Sequence, residues 1–184
     1  IFIAVNSSIS VVQQRVIHVM AILLIFFAGQ VSKTVSKSKW KTIVNSLLFL
    51  LTVCVAVYFI KGNTLSALSQ RGVRGISQSD MVFGVILIVM VLFVSYRTGL
   101  ALTILSGIFL AYAYFGRYMP DLIAHKGYTI RKITDYVAWT SESIFGSCIG
   151  ASVSFVALYI IFGELLNAFG AGQFFIDIAY ALTG

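Results

Sequence analysis

The chain has 184 residues, of which 59% are hydrophobic and only 10% are charged, against roughly 45–50% apolar and 25% charged in soluble domains. That balance excludes an ordinary water-soluble domain. A net charge of +7, from 13 Lys/Arg against 6 Asp/Glu, would raise nucleic acid as a partner in a soluble protein; here the basic residues sit between apolar runs, where they meet lipid headgroups instead.

A spanning helix needs about 20 mostly apolar residues. The first run covers residues 16–31, with Arg15 at its entry, placed to snorkel to the headgroups. His18 lies about one turn further in, where a polar group raises a functional role and an interfacial or helix–helix hydrogen bond is the expected one. The second covers residues 42–60 between Lys41 and Lys61. The third covers residues 81–96, with Asp80 before it and Arg97 after it. The fourth covers residues 99–118, ends in an aromatic belt of Tyr112, Tyr114 and Tyr118, and is stopped by Pro120. Runs three and four cannot be one helix. The rod would be too long for one crossing and would strand Arg97 in hydrocarbon. Arg97-Thr98-Gly99 therefore reads as a tight interfacial turn.

Residues 121–142 form the longest polar segment. Tyr128, Ile130, Ile133 and Val137 are spaced as a partly apolar helix face, which predicts a helix lying in the interface. His125 in this segment reads as a loop-end histidine, since too few ligands surround it for a metal. The fifth run covers residues 143–166, with Glu142 at its start, where an acid suits the helix dipole. Residues 173–182 are too short to span and predict a short interfacial or re-entrant helix. The fold class is thus all-α: a polytopic membrane bundle of about five spans plus that short terminal helix.

The loops on the Arg15 side carry eight Lys/Arg and those opposite carry five. The positive-inside rule points to the Arg15 side as cytoplasmic, while the dense lysines at residues 33–41 point the other way. Cys54 and Cys148 both lie in apolar runs and are expected to be buried free thiols.

Few residues could carry chemistry. Gly146 and Gly150, followed by Ser154, form a small-residue ridge suited to close helix packing. Glu164, with Asn167 beside it, sits late in the fifth run, where an acid either reaches the far interface or lines a polar cavity, and Asp177 on the short terminal stretch reads the same way. Gly163, Gly170 and Gly172 cluster around that helix end, and glycine-interrupted apolar helices are pointers to the broken helices of transporters. Glu164, Asn167, Asp177 and these three glycines are the candidate substrate and ion site. No phosphate-binding loop, nucleophile elbow or metal-ligand spacing is present. The expectation is a non-enzyme with no catalytic residues, no metal site and no resident cofactor.

From residue 79 onward, a series of short pieces occurs in a consistent order. Asp80 is followed by Tyr96-Arg97-Thr98-Gly99, Ala111-Tyr112-Ala113-Tyr114-Phe115-Gly116 with Pro120, and His125-Lys126-Gly127-Tyr128. Then come Glu142-Ser143-Ile144-Phe145-Gly146, Phe162-Gly163 and GAGQFFIDIAYALTG to Gly184. In this order the chain resembles the fused membrane component of TRAP (tripartite ATP-independent periplasmic) transporters, of the branch using a TAXI-type solute-binding protein. Before residue 79 only Gln14-Arg15-Val16-Ile17-His18 resembles the family's entry to its first helix.

The resemblance implies a multi-pass protein of the bacterial inner membrane. It implies import of small organic anions such as carboxylates, driven by sodium and fed by a periplasmic TAXI-type binding protein. It also implies a division into small-subunit-like helices (residues 1–120) and the beginning of a large elevator-type transport subunit (residues 121–184). The start at Ile1 and the stop at Gly184 fit a fragment, whose partner would be the remainder of that large subunit. The alternatives are a membrane-embedded scaffold or assembly subunit and a different secondary transporter.

Overall fold

The computed structural model describes residues 10–35 and 39–184. Among these, five helices are long and apolar enough to cross a membrane, and there are no strands. The protein is an all-α, multi-pass membrane bundle.

Helices α1 (Val11–Val35) and α2 (Lys39–Gly62) form the central hairpin. At 1.5 Å per residue, the 25 residues of α1 reach about 37 Å, enough to cross a hydrocarbon core of ~30 Å. Val16, Val19, Met20, Leu23 and Phe27 recur every three or four positions and are buried. They are met from α2 by Thr52, Val55, Ala56 and Phe59. Near the far end, Asn45 Nδ2 donates to Thr34 Oγ1 at 3.1 Å, tying the two helices with a polar bond.

A short helix α3 (Leu65–Arg74) follows, on the Arg15 side. It ends at Gly75, whose φ of 71° lies in the left-handed region that favours glycine. Helix α4 (Gln78–Thr98) begins with a capping box. Ser77 Oγ accepts from Asp80 N–H at 3.1 Å and the Asp80 carboxylate accepts from Ser77 N–H at 2.9 Å.

Thr98 ends α4, and α5 (Leu100–Phe115) starts after one extended residue, Gly99. Thr103 Oγ1 donates back to Ser95 Oγ at 3.1 Å. Ile88 and Leu92 of α4 then face Ser106 and Leu110 of α5 across one cavity of about 780 Å³. The chain therefore doubles back at Arg97-Thr98-Gly99, and Arg97 stays exposed at the bundle end, its guanidinium 5.4 Å from the Phe93 ring centre. A 3-10 turn, Gly116–Tyr118, completes α5 before Pro120.

The polar segment contains α6 (Ile130–Trp139), capped by Thr129, whose hydroxyl accepts from Lys132 N–H. The helix expected from the spacing is present, but its apolar spacing covers only part of the packed face. Tyr128 and Ile130 are exposed, Ile133 and Val137 are half-buried, and the fully buried positions are Thr134, Ala138 and Trp139. The reason lies on α4. Gly84 leaves a gap in which a Cβ would stand 2.5 Å from Thr134 Cγ2 and 3.0 Å from Trp139 Nε1. Small residues let the two backbones approach, and close approach governs helix packing in lipid. Trp139 then stacks on Phe59 with ring centres 4.2 Å apart. The core continues through Phe145, so packing runs without a break across residue 120.

The fifth span, α7 (Ser147–Ala168), starts later than its apolar run because residues 141–146 form turns. A π-helical turn, Ser152–Val156, interrupts it. Gly170, with φ of 77°, leads into α8 (Ala171–Thr183), the short helix expected at this end. Nearly all apolar side chains of α5, α7 and α8 are exposed, as are Ile25, Leu50 and Val89 elsewhere. In water such a surface would aggregate; in lipid it is the solvated state.

Candidate functional site

Two polar clusters gather at the Arg15 end of the bundle, where α1 and α4 begin and α2 ends. In the first, Arg15 turns inward instead of snorkelling outward. Its Nη1 donates to the carbonyl of Phe145 at 3.0 Å. Its guanidinium lies 2.8–2.9 Å from the place a Cβ on Gly150 would occupy. One turn deeper, His18 Nε2 and Ser152 Oγ are 3.1 Å apart. Ser152 opens the π-helical turn, so α1 grips α7 where the regular backbone ladder of α7 is interrupted. Such interruptions occur often at functional sites.

The second cluster centres on Asp80. Tyr58 O–H donates to its Oδ1 at 2.8 Å, and Arg71 Nε stands 3.8 Å from its Oδ2. Trp139 Nε1 donates to the Asp80 carbonyl at 2.9 Å. Arg71 also donates from Nη2 to the Gly62 carbonyl at 2.9 Å and lies 4.0 Å over the Trp139 ring. Burial pulls the Arg71 guanidinium below its ordinary pKa, and the Asp80 carboxylate opposes that shift. Four elements, α2, α3, α4 and α6, are joined here. In sequence, Asp80 and Arg71 read only as flanking charges, because their partners come from distant segments.

The glycine and acid candidates lie elsewhere. Glu164, Asn167 and Asp177 are exposed on α7 and α8. Asp177 Oδ1 accepts from Gln173 Nε2 at 3.0 Å, within its own helix. Gly172 lies near Asn167, whose Oδ1 is 4.0 Å from the position of an added Cβ. Gly163 has open space beside it, and Gly170 forms the left-handed turn between the helices. The turn thus brings Asn167 and Gly172 together, while the carboxylates of Glu164 and Asp177 share no hydrogen bond among the described residues.

The small-residue ridge divides. Gly146 caps α7 from the preceding turn, donating to the Ser143 carbonyl at 2.9 Å. Gly150 faces Arg15, and Ser154 lines the same crevice between α1 and α7. His125 is structural. Its Nδ1 accepts from Gly127 N–H at 3.1 Å and its Nε2 reaches the Tyr112 carbonyl at 3.1 Å, which requires the proton on Nε2. Cys54 and Cys148 are exposed, correcting the expectation of buried thiols: Cys54 lies in the wall of an open cavity beside Val53 and Val57, and Cys148 lies in the first turn of α7. Among the described residues no group of three His, Cys, Asp or Glu could hold a metal ion.

No family model, curated protein or solved structure matches this chain.

Proposed function

We propose that the chain is a membrane permease component of a sodium-coupled, binding-protein-dependent secondary importer of small organic anions such as carboxylates, of the TRAP type and from a bacterial inner membrane. One observation carries this reading. A packed body, built by α1, α2, α4 and α6, carries a hairpin of quite different character. Every described side chain from Ser154 to Gly170 is exposed, α7 is interrupted by a π-helical turn, and Gly170 turns the chain into α8. Interrupted helices near small residues are where secondary transporters hold ions and anions. Glu164, Asn167 and Asp177 ride on this hairpin. The body would then be the fixed scaffold and the hairpin the start of the transport unit. Sodium coupling and the TAXI-type solute-binding protein rest on the sequence resemblance.

A second reading, a membrane-embedded scaffold or assembly subunit, is favoured by a different observation. His18, Ser152, Asn45 and Thr34 lie within the spans, and all four are engaged in helix–helix bonds.

The test is uptake of radiolabelled carboxylates into proteoliposomes holding the whole membrane protein that carries this chain. The importer reading expects uptake only with an inward sodium gradient and the binding protein. It also expects at least a tenfold loss in Glu164→Gln/Asp177→Asn. Uptake indifferent to sodium and binding protein contradicts it. Wild-type uptake by the double variant would remove Glu164 and Asp177 from the site, and no uptake under any condition would favour the scaffold reading.

A further inference from the structure

Lys61 at the end of α2, Arg71 and Arg74 of α3, and Arg131 of α6 all line one cavity of about 1020 Å³ on the Arg15 side. Asp80 is the single carboxylate in its wall. Four cations therefore share one carboxylate within the wall, which is already engaged by Tyr58 and the Ser77 backbone; Asp135 of α6, outside the wall, acts on Arg71 from further off.

Two of the cations are fixed by carbonyls. Arg131 donates to Ile76 O and Arg71 to Gly62 O. Arg71 Nη1 nevertheless remains buried with no hydrogen-bond partner. Buried donors are ordinarily satisfied, and a guanidinium binds carboxylate or phosphate oxygens most strongly. Lys61 and Arg74 stand exposed at the rim, and their side chains make no hydrogen bond among the described residues. The cavity is not uniformly polar. Val53, Val57 and Phe83 continue its wall down α2 and α4, toward the hydrocarbon.

We propose that this cavity seats one anionic phospholipid, with its phosphate between Arg71, Lys61 and Arg74 and an acyl chain along Val53, Val57 and Phe83. Basic pockets between membrane helices are suited to such headgroups. A free phosphate would satisfy the cations and leave the apolar wall unused. A zwitterionic lipid would bring its own cation into a site that already holds four. The inference depends on the membrane-spanning fold and is independent of the importer reading.

Native mass spectrometry of the delipidated chain, titrated with phosphatidylglycerol, phosphatidylcholine or inorganic phosphate, tests it. The wild type is expected to retain phosphatidylglycerol in preference to phosphatidylcholine. Lys61→Gln/Arg74→Gln should weaken phosphatidylglycerol binding roughly 30-fold, from the expected effect of two surface cations, with helical content unchanged by circular dichroism. Val57→Trp fills the apolar wall without touching a cation and should weaken the same lipid, giving a second measure if the double variant fails to fold. Equal retention of the two lipids overturns the proposal. So does unaltered phosphatidylglycerol binding in either folded variant. Displacement of phosphatidylglycerol by millimolar inorganic phosphate would reassign the site to a soluble anion and overturn the lipid assignment.

Discussion

Gly84 decides how close α6 comes to α4. A leucine there would have to displace Thr134 and Trp139, and overpacking of this kind costs about 2 kcal/mol. Gly84→Leu is expected to lower the unfolding midpoint in detergent. Gly107→Leu, where nothing lies within 4 Å, should leave it unchanged, and equal effects would contradict the packing described for α6. The His18–Ser152 contact is a second residue-scale test. A double-mutant cycle of His18→Ala and Ser152→Ala should give a coupling of about 0.6 kcal/mol, typical of hydrogen bonds between membrane helices; no coupling would mean the two groups do not bond. His18 was legible in the sequence because a polar group one turn inside an apolar helix needs a partner. Arg15 was not. Its acceptor is a backbone carbonyl at Phe145, 130 residues away, and nothing local in either segment marks the pair.

The element boundaries were legible wherever hydropathy changes sharply. The breaks between spans, the turn at Arg97-Thr98-Gly99 and the stop before Pro120 all follow from where charge and proline can sit in a bilayer. The face of α6 was legible only in part: Ile133 and Val137 are half-buried, while the close contact at Thr134 and Trp139 depends on Gly84, a small residue on another helix. The interruption of α7 at Ser152–Val156 also leaves no mark in composition. Among the joints between elements, the Asp80 cluster should matter most for stability. Asp80→Ala removes one half of the capping box of α4, the carboxylate that accepts from Ser77 N–H, and leaves the Arg71 guanidinium, whose side chain is only 12% exposed, without its nearest carboxylate. The expected cost is about 3 kcal/mol, as for other charges left unpaired when partly buried. Adding Arg71→Met should recover much of that loss in chemical denaturation, since removing both partners leaves no orphan charge. A double variant as unstable as the single one would show that the pair does not carry the effect.

At the scale of the whole molecule, the architecture divides into a body held by aromatic and polar joints on the Arg15 side and a hairpin that leaves the body after its first turns. The fold class was readable from composition because a bilayer admits so few solutions for an apolar chain. The candidate site was less so. Glycines and acids at residues 163–177 advertise an interrupted helix, but the contacts they make are local: Asp177 bonds Gln173, and Gly172 lies near Asn167. The polar clusters the structure does assemble draw on segments far apart in the chain. All of this rests on five separate crossings with alternating ends.

The most direct test is labelling of single cysteines by a membrane-impermeant maleimide in sealed, oriented vesicles, in a Cys54→Ala/Cys148→Ala background. Ser69→Cys and Asp121→Cys should react from one face of the membrane, and Thr98→Cys and Gly170→Cys from the other. Protection of Thr98→Cys from both faces, or its labelling from the same face as Ser69→Cys, would contradict the topology.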